Sequence, residues 1–315
     1  MSPYRRKLPQ LADRPFLADS GLETTLIFHD GYDLPHFASF VLLESEAGRA
    51  RLASYFAEHV RLALDARTGI VLETPTWRAS ADWGEKLGFD AARLDAVNRR
   101  AVAQLVELRN AAQTPATPIV ISGNLGPRGD GYRADARMSA DAARAYHAPQ
   151  VDTFADTEAD LVSVFTMNYV EEAIGVVQAA RAADMPVVVS FTVETDGRLP
   201  SGMALADAIA ATDDATGGHP AYYMLNCAHP SHFAHLFDGG GWQARLRGVR
   251  ANASTLSHAE LDAATELDSG DIDELAHGYR DLARHLPALA VVGGCCGTDH
   301  RHVAAIRDSL LTVPG

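Results

Sequence analysis

Eight short apolar runs, rich in β-branched residues and separated by helix-patterned stretches, constrain the fold of this chain more than any other feature. They read PFLAD (15–19), GIVLET (69–74), PIVISGN (118–124), DLVSVFT (160–166), PVVVSFT (186–192), AYYMLNC (221–227), LRGVRAN (246–252) and ALAVVGGC (288–295). Between them lie segments rich in Ala, Leu, Arg and Glu with helical spacing, at 46–67, 90–112, 139–157, 170–183, 203–214, 271–285 and 299–311, and a weaker one at 230–237. A strand that is apolar along its whole length has both faces covered, and strands that alternate with helices pair in parallel. Eight such units in 315 residues predict an α/β fold, a (β/α)8 TIM barrel forming one domain over 1–315, with an open doubly wound sheet as the alternative. Residues 1–14, which include the basic run Arg5, Arg6 and Lys7, are expected to form a surface tail.

Charge and length narrow the function. A formal net charge of −14 opposes binding to nucleic acid, which depends on neutralising phosphates with Lys and Arg. No apolar run reaches the roughly 18 residues of a membrane helix, and no secretory pattern opens the chain, so a cytoplasmic location is expected. Three cysteines are too few for a disulfide framework; an odd number in a reducing compartment points to free thiols or metal ligands.

All three cysteines fall at strand ends. Cys227 closes the sixth run, and Cys295 and Cys296 close the eighth, within VVGGCCGTDH (291–300). Barrels of this class gather their chemistry at the C-terminal ends of the strands, where these thiols can converge. Three thiolates without a fourth protein ligand form the donor set of an open, catalytic zinc site. Gly293, Gly294 and Gly297 would allow the turn that brings adjacent side chains to one ion. Packing of small apolar thiols, redox chemistry and a strained disulfide between Cys295 and Cys296 are the competing roles for these residues. His229, His300 and His302 are alternative ligands, although their positions at helix starts suit capping.

The segments GGCCGT, LNC and DSGLETTL resemble the signatures of the homocysteine S-methyltransferase family. ETPTWRAS (73–80), SGNLGPRGDGY (122–132), YHAPQVD (146–152) and VVVSFTVETDGRLPSG (187–202) follow in the order expected of that family. The resemblance implies a (β/α)8 barrel holding one Zn2+ on Cys227, Cys295 and Cys296, with homocysteine sulfur as fourth ligand and methyl transfer to give methionine. It further implies a small-molecule thiol acceptor and methyl donor as partners, the donor being S-methylmethionine, S-adenosylmethionine, betaine or similar. The chain is short for the cobalamin- and folate-binding modules of large methionine synthases, so a free donor is expected, with a separate corrinoid protein as the alternative. A homo-oligomer is compatible with the family.

By the same resemblance Asp19 is the acidic residue that helps bind homocysteine, and Ser20 stands where glycine is usual. Asn226, next to a zinc cysteine, could position a polar group of the substrate or satisfy its loop. Trp77, Phe191, Tyr222 and Tyr223 lie at or near strand ends, where an aromatic face suits a cationic methyl donor, and Glu73 and Glu194 could balance a cationic group. Two positions depart from the family. Phe165 or Thr166 stands where a glutamate grips the substrate amine, and Arg78 replaces a tyrosine after the second strand. Amine recognition is therefore assigned to Glu194, or the acceptor is a different thiol; Arg78 could pair with a substrate carboxylate. GNLGPRGDG has neither phosphate-loop nor dinucleotide spacing and reads as a loop over the site. A thiol redox or metal-sensing protein using the same cysteines, and a barrel with a purely structural metal, remain the readings from other classes.

Overall fold

A computed structural model describes residues 2–12 and 14–311. The eight apolar runs form the strands β1 (Phe16–Ala18), β2 (Ile70–Glu73), β3 (Ile119–Leu125), β4 (Leu161–Met167), β5 (Val187–Phe191), β6 (Tyr222–Asn226), β7 (Leu246–Ala251) and β8 (Val291–Gly294). They close in chain order into a parallel barrel, with β8 returning to β1 through Phe16 opposite Val291 and Leu17 opposite Val292. The expected (β/α)8 barrel is the observed architecture.

Because successive side chains of a strand point to opposite faces, the core divides in two. Leu17, Ile70, Ile119, Val187 and Val292 pack with the helices outside the barrel. Phe16, Val71, Val120, Val188, Tyr222 and Val291 form a separate cluster within it. Each such side chain taken from water stabilises the fold by about 1.5–3 kcal/mol.

The seven strong helical segments appear as Glu46–Ala66, Ala91–Ala112, Ala140–Ala155, Val170–Ala182, Leu205–Thr216, Ile272–His285 and His300–Leu310. Several begin at a side-chain cap. Ser45 Oγ accepts from Gly48 N at 3.0 Å, and Asp90 Oδ1 accepts from Arg93 N at 2.8 Å. The weaker segment at 230–237 is one α turn, Pro230–Phe233, followed by a 3-10 turn, Ala234–Leu236. Short elements not expected from periodicity, among them Leu22–Thr24 with a π turn at Thr25–His29, Ala81–Lys86 and His258–Ala263, build the rim at the C-terminal end. They are too short for a hydrophobic period to register. Among the described residues no helix is long and apolar enough to cross a membrane.

Residues 2–12 lie across the N-terminal end of the barrel, where Tyr4, Leu8 and Leu11 pack against the inner cluster and Gln10 is fully buried, while Arg6 and Lys7 are exposed. Arg5 donates to the carbonyls of Ala155, Thr157 and Ala159, which end the helix Ala140–Ala155 and the turn after it. The apolar floor of a barrel must be covered, and this segment covers it. Met1 and Asp13 of the expected tail lie outside the described residues.

Candidate metal centre

Cys227 follows β6 directly, Cys295 and Cys296 follow β8, and only β7 intervenes. Cys227 has φ 55°, and Thr166 at the end of β4 has φ 62°. This left-handed region is rare for non-glycine residues, costs about 1–3 kcal/mol, and persists where surrounding contacts over-determine it. Asn226 supplies those contacts. Its Oδ1 accepts from Thr166 N at 2.9 Å and Ser190 Oγ at 2.7 Å, and its Nδ2 donates to Thr166 Oγ1 at 2.9 Å and Cys227 Sγ at 3.2 Å. A register shift between Val164 and Met167 accompanies the turn at Thr166. The polar atoms of Asn226 are thus engaged in shaping the loop and orienting the cysteine.

The two terminal motifs brace each other. Gly294 N donates to Asp19 O at 2.9 Å, Gly21 N to Thr298 Oγ1 at 3.1 Å, and Gly297 N to Thr24 Oγ1 at 3.0 Å. A Cβ at Gly21 would lie 2.5 Å from the Cys295 carbonyl oxygen, so only glycine allows this approach. Gly297, at φ 80°, makes the turn after the cysteine pair.

The three Sγ atoms lie within 4.8 Å of one another. Cys227 and Cys295 are joined as a disulfide, and Cys296 is a free, exposed thiol with its Sγ 4.0 Å from that of Cys227. The bond joins Cys227 to Cys295, not the adjacent pair Cys295 and Cys296 of the competing vicinal disulfide. Neighbouring side chains on an extended chain diverge, whereas the ends of β6 and β8 face each other with Cα atoms 5.5 Å apart. A tetrahedral metal with metal–sulfur bonds of about 2.3 Å sets its sulfurs about 3.8 Å apart. The Cys227–Cys296 spacing of 4.0 Å is close to that figure, and metal binding would require the Cys227–Cys295 bond to be reduced. Among the described residues no His, Asp or Glu joins the group, so its donor set is incomplete by one.

A cavity of about 420 Å³ opens over the sulfurs. Asp19 lies in its wall, buried and ion-paired with Arg250. Burial raises its carboxyl to about 6 although Arg250 opposes the shift. Arg250 also donates to Gly294 O and Ser20 O, both at 3.0 Å. Ser20 lies beside Asp19, its hydroxyl 2.9 Å from His59 Nε2 and 3.2 Å from Tyr55 Oη. Glu73 lines the cavity, 5% exposed; among the described residues its Oε2 has no hydrogen-bond partner, and burial pushes the carboxyl up to about 7. Trp77 and Arg78 are also in the wall, with the Arg78 guanidinium 3.9 Å from the Trp77 ring centroid.

Other expected residues lie elsewhere. Glu194 stands behind the lining, 3.3 Å from His258 Nδ1. Phe191 and Tyr223 face outward and stack on each other, and Tyr222 lies in the inner cluster beside Gln10 at the opposite end. His229 and His302 cap helices, and His300 lies 3.7 Å from Glu58. The cavity also contains residues that sequence reasoning missed. Arg250 is a buried charge and Glu23 a half-buried one, Glu23 accepting from Ser39 Oγ at 2.7 Å. Tyr132 stacks on His258 at 4.1 Å and places its Oη 3.6 Å from Cys296 Sγ, while His258 Nε2 meets Cys227 O at 2.6 Å. Arg250 carried a readable signal: in LRGVRAN it occupies the same phase as Gly248, opposite to Val249, so a barrel puts its charge inside.

A family model described as homocysteine S-methyltransferase matches residues 17–310. The chain belongs to the homocysteine S-methyltransferase family. It is therefore a methyltransferase. Among solved structures, its fold is similar to that of the homocysteine methyltransferase MmuM from Escherichia coli. The oxidized form is 21% identical, with 96% of this chain and 98% of that chain covered and a TM-score of 0.75. The metallated form is 21% identical, with 94% and 96% covered and a TM-score of 0.71. The apo form is 22% identical, with 96% and 98% covered and a TM-score of 0.67. At this identity the likeness speaks to the fold. A comparison with curated proteins finds no match.

Proposed function

We propose that this methyltransferase uses zinc on Cys227, Cys295 and Cys296 to move a methyl group from a free small-molecule donor to the thiol of L-homocysteine, forming methionine. The observation that carries the proposal is the meeting of the three sulfurs within 4.8 Å beside a substrate-sized cavity. Zinc in such a site lowers the pKa of a bound thiol, from an ordinary value near 8.5, enough to keep it a thiolate at neutral pH. The thiol loses its proton to solvent, its sulfur forms the new C–S bond, and the donor's bond to its methyl breaks with the electron pair leaving on the donor atom. A cationic sulfonium or ammonium donor thereby becomes neutral.

The chain's own residues position the reactants. Asn226 holds Cys227 in its strained conformation, Tyr132 and His258 form a wall beside Cys296, and Glu73 offers an unpartnered carboxylate oxygen within the cavity. Asp19 and Ser20 are assigned to the acceptor's polar end, and Trp77 and Tyr132 to the cationic donor. S-methylmethionine, S-adenosylmethionine and betaine are the candidate donors, and a reducing cytoplasm is the setting that keeps the cysteines available.

Reduced, zinc-loaded protein is to be incubated with L-homocysteine and each donor in turn, and methionine quantified by mass spectrometry. Methionine from one donor is expected. None from any of them, nor from a methylated corrinoid, overturns the reading. The Cys227–Cys295 bond favours a second reading, a thiol redox protein. That reading predicts a reversible dithiol–disulfide couple in a protein that transfers no methyl group.

A further inference from the structure

Arg78 is 6% exposed and forms no ion pair among the described residues. Both of its hydrogen bonds leave from Nη1, to Gly129 O at 2.9 Å and Pro127 O at 3.5 Å. Among the described residues its buried Nε has no hydrogen-bond partner, and no hydrogen bond leaves Nη2. The guanidinium lies between two indoles, with Cζ 3.9 Å from the Trp77 ring centroid and 3.8 Å from that of Trp83. The stacking restrains its position and screens its faces from water. What remains is the Nε–Nη2 edge, two parallel donors spaced to match a carboxylate, on a side chain that lines the cavity.

A buried cation without a counter-ion is costly, and an anion arriving in the cavity relieves that cost. Burial already draws Arg78 down to about 10. The nearby charges do not meet the need. Asp19 is taken by Arg250, Glu23 is engaged by Ser39, and Asp130 Oδ1 accepts from the amides of Tyr132 and Arg133.

We propose that Arg78 receives the carboxylate of a substrate, bidentate through Nε and Nη2, and so makes the cavity selective for substrates that carry one. The proposal rests on the methyltransferase reading only for the choice of molecules. That reading offers two sources of the group: the amino-acid acceptor and an amino-acid or betaine donor.

Binding to the full-length, reduced, zinc-loaded protein is to be measured by calorimetry with two pairs of ligands. Methionine against 3-(methylthio)propylamine probes the acceptor side, and S-methylmethionine against (3-aminopropyl)dimethylsulfonium the donor side; each pair differs only in the carboxylate. For one pair the carboxylate ligand is expected to bind roughly 10- to 100-fold more tightly, the weight of a charge-assisted pair in a desolvated site. Arg78→Met should bring that ratio close to one, and Arg78→Lys should leave it in between. A role limited to tying down residues 126–131 would weaken both members of a pair equally and leave the ratio intact. A ratio near one in the unaltered protein for both pairs overturns the proposal without any variant, as does a ratio that survives Arg78→Met or a failure of both carboxylate ligands to bind. Methionine binding requires no turnover. Discrimination without methyl transfer therefore counts against the proposed function alone, and transfer with a ratio insensitive to Arg78 against this inference alone.

Discussion

At the N-terminal end of the barrel, Asp160 accepts from Ser2 Oγ, Tyr4 N, Arg109 Nη1 and Ile121 N, so both carboxylate oxygens are used. At the C-terminal end, among the described residues, Glu73 keeps one oxygen and Arg78 its Nε buried without a hydrogen-bond partner, and three sulfurs converge with no fourth protein ligand. The same eight strands carry both arrangements. A saturated group contributes to stability and has nothing left to offer a ligand. An unsaturated buried group costs stability, and binding recovers that cost. Among these charged groups, pairing therefore distinguishes the working end of this barrel from Asp160 at its floor, where the unpartnered oxygen is that of a neutral amide, Gln10 Oε1.

The sharpest way to break this contrast is to change one side chain at each end. Cys295→Ser should reduce methyl transfer by more than about 100-fold, the upper end of what even losing an outer partner of a ligand costs, with little change in the urea midpoint of the reduced protein. Asp160→Ala should do the reverse. It leaves Arg109 buried and unpaired, at a cost of about 3–5 kcal/mol in urea unfolding, while the folded fraction keeps its metal stoichiometry.

Glu73 tests the contrast through pH. Its ordinary value is 4.5 and its folded value about 7, so between these the unfolded chain loses a proton that the folded one retains. Stability must then fall as pH rises through that window, by on the order of 3 kcal/mol in all. Glu73→Gln should flatten that part of the pH–stability curve, and an unchanged slope would remove the unpartnered carboxyl from the comparison. The smallest effect belongs to Arg5→Ala. Loss of its bonds to helix-end carbonyls should cost about 1 kcal/mol, measured as a lowered urea midpoint with methyl transfer unaltered.

The strands were legible because each is a continuous apolar run, and the long helices because their period extends over several turns. The cysteines were legible because three thiols at strand ends have few roles besides metal binding and redox chemistry. Less could be read where position depends on closure. Phe191 and Tyr223 differ from cavity residues only in strand phase, and Tyr222 only in which end of β6 it occupies. Arg250 was hidden until strand phase was combined with a closed barrel. Residues 2–12 have no periodicity, and their placement follows from the open floor they cover. Glu194 and Glu73 are both strand-end carboxylates in sequence; three dimensions alone put His258 in front of one and open cavity before the other.

The most direct test is metal content by elemental analysis of untagged protein, reduced and then equilibrated with zinc, beside a Cys296→Ser variant treated identically. About one zinc per chain in the first and a clear loss in the second is the expected result. No zinc in the fully reduced protein, or equal zinc in both, would contradict a thiolate metal centre at this end of the barrel.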